Sequence, residues 1–156
     1  MATWVDFEGD APELAAHGKR LLNQYGAPFG FLATVRRDGG PRVHPVCPVV
    51  AEGGLYVFVV SMSPKKDDLL RDPRYALHSF PPPSGGGEEF YVTGRASPVD
   101  DGVVRERVVA ATGGTLGTHD FEVLFELGLE HVLYTLWANW GTAETWPSYT
   151  RWHAQG

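Results

Sequence analysis

Residues 31–46 read FLATVRRDGGPRVHPV and residues 55–80 read LYVFVVSMSPKKDDLLRDPRYALHSF. β-branched and aromatic residues dominate both stretches, and turn formers cut them into short runs. Phe29–Arg36, Arg42–Ala51 and Leu55–Ser61 are three such runs, separated by Asp38-Gly39-Gly40 and Glu52-Gly53-Gly54. Consecutive β-like runs joined by Asp-Gly and Gly-Gly turns predict an antiparallel meander. Pro45 and Pro48 lie inside the second run. Proline donates no ladder hydrogen bond, so this strand should be bulged or have one side facing an edge or a ligand. After the third run, Ser63-Pro64 has the form of a helix start, with serine at the N-cap and proline at the first helical position. The helix spans Pro64–Arg71, and Arg74–Phe80 is a fourth strand.

Working outward, residues 11–25 predict a helix capped by Asp10, with Glu13 completing a capping-box pattern. Leu14, Leu21 and Leu22 form its apolar side, and Gly26-Ala27-Pro28 ends it. Pro81-Pro82-Pro83-Ser84-Gly85-Gly86-Gly87 has no periodicity and is a loop. Glu89–Pro98 is a fifth strand. Asp100–Ala111 is a helix closed by Gly113-Gly114. Leu124–Trp137 is a sixth strand, preceded by a short helix and bulged at Gly128, and Tyr149–His153 has the composition of a last strand. No repeat and no second domain interrupts residues 1–156. The expected fold is mainly β: a six-stranded antiparallel barrel or sandwich with short flanking helices.

A chain of 156 residues can bury a real core. Its formal net charge of −6 argues against nucleic acid as a partner, which needs a basic face. Lysine occurs only at Lys19, Lys65 and Lys66, so two of three lie side by side at a helix start, against an acidic background. The lone Cys47 allows no intrachain disulfide, which fits a reducing compartment, and reads as a structural thiol. The N-terminal Met1–Glu8 stretch is acidic and lacks a secretory apolar segment. No apolar run approaches the ~18 residues of a membrane span. A cytoplasmic protein is expected. No two of the six histidines have tight metal-ligand spacing, and no metal is expected. No nucleophile elbow is present. Gly113–Gly117 lacks the lysine of a phosphate-binding P-loop.

Ala33-Thr34, the Asp38-Gly39 turn, Pro45-Val46, Ser63-Pro64-Lys65 and then Leu69 with Pro73 follow one another in an order and spacing that resemble the pyridoxamine 5′-phosphate oxidase-like family of flavin-binding split β-barrels. The resemblance covers about the first two-thirds of the chain. It implies a split barrel, an FMN cofactor at the interface of a homodimer, and hydride or electron transfer to or from a small molecule, with no assigned catalytic side chain. It places Lys65 and Arg42 on the cofactor phosphate, with Ser63 and Lys66 beside them. Val43, His44, Pro45 and Val46 would lie along the ring, and Val60 and Ser61 would border it. Trp137 or Trp140 would approach the flavin of the partner subunit.

The chemistry of these residues agrees with that placement. Free N–H groups and the helix dipole favour an anion at Ser63–Lys66, and the lysines add charge. The plain alternative for Lys65 and Lys66 is a solvated helix start, and for Arg42 a surface charge. Pro64 stands where the pyridoxamine oxidases carry an arginine, and their C-terminal substrate-phosphate residues have only a faint echo in Arg151-Trp152-His153. Vitamin B6 oxidation is therefore not the expected activity. A deazaflavin cofactor in a reductase, or a flavin- or heme-binding carrier or stress protein without robust turnover, are the alternatives.

Overall fold

The Asp38-Gly39 turn forms the first hairpin. Gly39 takes a positive φ of 83°, which glycine adopts without strain, and Arg36 N–H donates to the Gly40 carbonyl at 2.8 Å. The hairpin joins β1 (Gly30–Val35) to β2 (Pro41–Val46) with Val35 opposite Pro41. In the computed structural model, which describes residues 1–155, the remaining strands are β3 (Val49–Ala51), β4 (Gly54–Val60), β5 (Arg74–Ser79), β6 (Glu88–Pro98), β7 (Glu122–Ala138) and β8 (Trp146–His153). The helices are α1 (Trp4–Asp10), α2 (Pro12–Leu22), α3 (Pro64–Arg71) and α4 (Gly102–Ala111).

All eight strands belong to one antiparallel sheet in the order β2-β1-β5-β6-β7-β4-β3, with β8 beside β7. Strand β7 organises it. One of its edges pairs with β6 over Phe125–Leu136; the other carries β4 along Glu122–Glu126 and β8 along His131–Ala138. The two ends of the sheet, β2 and β3, are consecutive in the chain and joined only by Cys47-Pro48. The sheet therefore curls back on itself without closing, as a split barrel does.

Alternation along the strands builds the core. Leu32, Val46, Leu55, Val57, Val59, Tyr75, Leu77, Phe90, Val92, Phe125 and Leu127 point inward, and Trp4, Phe7, Leu14, Leu21 and Leu22 of α1 and α2 cover them. Gly18 lets α2 approach: a β-carbon there would lie 2.6 Å from the Phe90 ring. On the far side of β4, Tyr56 packs with Val49, Leu124 and Val108 of α4.

The structure corrects several sequence expectations. Strands number eight, because the single run Arg42–Ala51 breaks at Cys47-Pro48 into β2 and β3, and because Trp146–His153 pairs along its whole length. Helix α2 begins at Pro12 and ends at Leu22; Asp10 is the last residue of α1 and caps nothing, while the α2 N-cap, Ala11, makes no side-chain bond. Helix α1 went unread although Thr3 and Asp6 form its capping box. Turns, not a short helix, precede β7, and Arg105 of α4 holds that segment by donating to the Gly117, His119 and Glu122 carbonyls. The β7 bulge is at Glu130, the residue left unpaired where Thr93 faces His131 and Gly94 faces Leu129, two positions beyond Gly128.

Candidate functional site

The register shows which backbone groups of the sheet ends are free. In an antiparallel pair, alternate residue pairs exchange hydrogen bonds and the others turn their N–H and C=O away. Arg36 bonds Gly40, so the bonded pairs of β1 and β2 are Thr34–Arg42, Leu32–His44 and Gly30–Val46. Pro41, Val43 and Pro45 thus face away from β1. This parity suits the prolines, whose missing N–H costs nothing on a free edge. The same counting applies to β4. Ser61 N–H donates to the Phe121 carbonyl at 2.7 Å, so Phe58 and Val60 turn their backbone groups away from β7. Beyond Tyr56, β3 no longer covers that edge.

A straight chain would lay β2 along this part of β4. The bend at Cys47-Pro48 carries it off to the opposite end of the sheet. What remains is a seam between two strand edges, with the Val43 N–H and the carbonyls of Pro41, Val43 and Pro45 on one side and the Phe58 and Val60 edge on the other. The Val60 carbonyl already accepts from Ser63 N–H at 2.8 Å, which fixes how α3 leaves the strand. Cys47 is partly buried at the bend, and burial pushes its thiol up.

Helix α3 supplies charge beside the seam. Ser63 takes the N-cap position with extended backbone, but its hydroxyl makes no capping bond. Lys66 pairs with Asp67 at 2.9 Å. Lys65 is partly buried and has no carboxylate partner among the described residues, and desolvation pulls its ammonium below the ordinary lysine range. Asp68, one turn after Lys65 on the same helical face, has a side chain only 4% exposed. Its carboxylate accepts from Arg42 Nε at 2.7 Å, Thr34 Oγ1 at 3.0 Å and Arg71 Nη2 at 3.1 Å. Burial alone would raise its pKa; the bonds from Arg42, Arg71 and Thr34 outweigh that and hold it below the usual carboxylate range. Arg42 bonds through Nε alone, so Nη1 and Nη2 are without partners among the described residues. Arg42 also lines an open recess of about 500 Å³ with Arg36, Arg37, Asp38 and Asp68.

Among the residues singled out from sequence, Arg42 bonds Asp68 of α3, Lys65 and Lys66 lie in the first turn of that helix, and Ser63 is its N-cap. Val43 and Pro45 are exposed, with Val43 60% accessible; His44 shares the inner side of β2 with Arg42, and Val46 packs into the core. Val60 is exposed at the end of β4 and Ser61 follows it. The Trp137 indole donates to Glu89 of β6 at 3.2 Å and its backbone N–H to the Gly87 carbonyl at 2.8 Å, and Trp140 lies over Gly86 at the end of the 81–87 loop. Asp68 escaped sequence reading, and Thr34 entered it only within the Ala33-Thr34 pattern, with no role at the site. The available signal was an acidic residue three positions after Lys65, on the face a short helix must turn toward the sheet. The β7–β8 register also brings His131 and His153 into contact, a pairing hidden by their distance in sequence. No cluster of three metal-ligating side chains occurs among the described residues.

The junction can bind an anion, and the seam can take the edge of a flat heterocycle. The family model for pyridoxamine 5′-phosphate oxidase matches residues 17–132. No curated protein matches the chain. Among solved structures, the chain is similar to PhzG from Burkholderia lata 383 in complex with tetrahydrophenazine-1-carboxylic acid, at 14% identity and a TM-score of 0.63 over 97% of this chain and 87% of that one. It is similar to HutZ, the heme storage protein from Vibrio cholerae, at 19% identity and a TM-score of 0.60 over 77% and 89%. An F420 reductase superposes at 20% identity and a TM-score of 0.56 over 72% and 94%. At such identities the likeness is one of fold.

Proposed function

Because the chain belongs to the pyridoxamine 5′-phosphate oxidase family, we propose that it is a flavin-dependent oxidoreductase that binds FMN in the seam between β2 and β4. The observation that carries this reading is Lys65: a partly buried ammonium with no carboxylate partner among the described residues, one helical turn before the Asp68 carboxylate that Arg42 bonds. A cation held in that way is poised for an anion. Arg42 and Lys65 hold the phosphate, assisted by Ser63 and the first turn of α3, while Lys66, already paired with Asp67, contributes charge. The Val43 N–H and the carbonyls along the β2 edge meet the polar rim of the ring, and Val60 and Ser61 border it.

When bound, a flavin supplies hydride and electron transfer between a reduced donor and a small acceptor. The chain's own contribution is to bind and orient. The β2 edge fixes the plane and direction of the ring, and the bend at Cys47-Pro48 keeps the seam from zipping shut. We further propose a homodimer. The seam is open on one side, and Phe31, Val43 and Tyr149 are exposed on the sheet. A second copy of the chain would cover these residues and complete the slot.

A deazaflavin is the second reading, supported by the likeness to the F420 reductase; it offers the same phosphate chemistry to Lys65 and Arg42. The visible spectrum of natively purified protein, with mass spectrometry of the released chromophore, separates FMN, deazaflavin and heme. Oxidation of reduced nicotinamide with a panel of acceptors then tests turnover. A heme spectrum would overturn the flavin reading, and bound flavin without turnover would make the protein a carrier.

A further inference from the structure

We propose that Asp68 is a positioning residue of this site: it holds Arg42 side-on by Nε so that both terminal nitrogens of the guanidinium face the cofactor phosphate. The inference rests on the phosphate reading above. A carboxylate is an unexpected neighbour for an anion site, because its charge repels the ligand. Here the carboxylate is nearly inaccessible, and its partners account for both oxygens. Oδ2 takes the Arg42 Nε bond and the Thr34 hydroxyl; Oδ1 takes Arg71, whose guanidinium also reaches the Val35 carbonyl. Thr34 and Arg71 thus tie Asp68 to β1, and Asp68 ties Arg42 to α3. An arginine gripped at Nε keeps its terminal fork free, and a fork fixed in advance binds phosphate through two donors.

The two possible roles of Asp68 predict opposite signs. If it acts only as a charge, Asp68→Asn removes a repulsion and FMN binds more tightly. If it positions Arg42, the same change loosens the fork and FMN binds more weakly, although the site has become more positive. Riboflavin, which lacks the phosphate, should not notice either way.

The test is titration of cofactor-stripped full-length protein with FMN and with riboflavin, in wild type, Asp68→Asn, Arg42→Ala and the double variant. Positioning predicts that Asp68→Asn weakens FMN about tenfold, leaves riboflavin unchanged, and has no weakening effect once Arg42 is alanine. Unchanged or tighter FMN binding overturns the proposal. So does an equal loss of riboflavin, which would mark a purely structural role, or an undiminished loss in the Arg42→Ala background. A wild type that does not distinguish FMN from riboflavin overturns the phosphate reading and this inference with it. If Asp68→Asn does not fold, the wild type still carries the test by nitrogen-15 NMR. The Arg42 Nε–H, assigned by its absence in Arg42→Ala, should exchange slowly with and without FMN; exchange at the rate of a free arginine overturns the proposal.

Discussion

Lys65 carries a charge in a place where charge is costly. Burial lowers its pKa in the free protein, and a bound phosphate should raise it again. The sign of the pH dependence follows. A lysine with a lowered folded-state value weakens the fold while it is charged, and stability rises with pH between the folded and unfolded values. Cofactor binding runs the other way, since the phosphate needs the proton that alkali removes. We therefore expect the FMN affinity, divided by the riboflavin affinity, to fall as pH rises through a range below that of an ordinary lysine. Parallel titrations of both ligands across alkaline pH check this, and a constant ratio would count against Lys65. The family resemblance marked Lys65 and Arg42 as candidates, and the helix start at Ser63-Pro64 agreed with it for Lys65. Neither could show that Asp68 bonds Arg42, because that bond crosses 26 residues of chain and depends on how α3 docks.

At the scale of elements, the edge of β2 decides what the seam can bind. Pro45 and Pro48 announced an edge or a bulge, and the chain has both an edge and a bend there. What the prolines could not announce was that β2 and β3 lie at opposite ends of the sheet, since strand order is set by long-range pairing. The Phe29–Arg36 and Leu55–Ser61 runs were legible from alternation and turn chemistry. Helix α1 was missed because its three apolar residues, Trp4, Val5 and Phe7, are too few to show a period. Val43 offers an element-level test. Its N–H faces the seam and takes no part in the β1 ladder, so Val43→Pro should leave folding intact and remove one ring contact. A lost hydrogen bond of about 1 to 1.5 kcal/mol weakens binding by roughly tenfold. FMN and riboflavin should lose equally, in contrast to changes at the phosphate end. Titration of both ligands decides, and an unaffected ring would place it elsewhere than along β2.

For the molecule as a whole, the open seam and the exposed apolar residues of the sheet point to a second subunit. Sedimentation velocity of cofactor-loaded protein should show a dimer that persists on dilution into the micromolar range, and loss of cofactor should weaken it. A loaded monomer would contradict the proposed interface. Whole-molecule features were the least legible in sequence. The Trp-rich end suggested surface to be covered, and Trp140, Trp146 and Tyr149 are exposed there, while Trp140 also lies over Gly86 of its own chain.

The central claim is a phosphate-specific flavin site at Lys65, and a paired titration tests it most directly. Stripped wild-type and Lys65→Ala proteins are each titrated with FMN and with riboflavin, with Lys19→Ala as control, since Lys19 lies on α2 and pairs with Glu8 of α1. A charge-assisted phosphate contact of about 1.5–3 kcal/mol predicts that Lys65→Ala weakens FMN by roughly 10- to 150-fold while riboflavin and the control barely change. Equal losses for both ligands, or no loss for either, would show that Lys65 is a solvated helix start and that the cofactor site lies elsewhere.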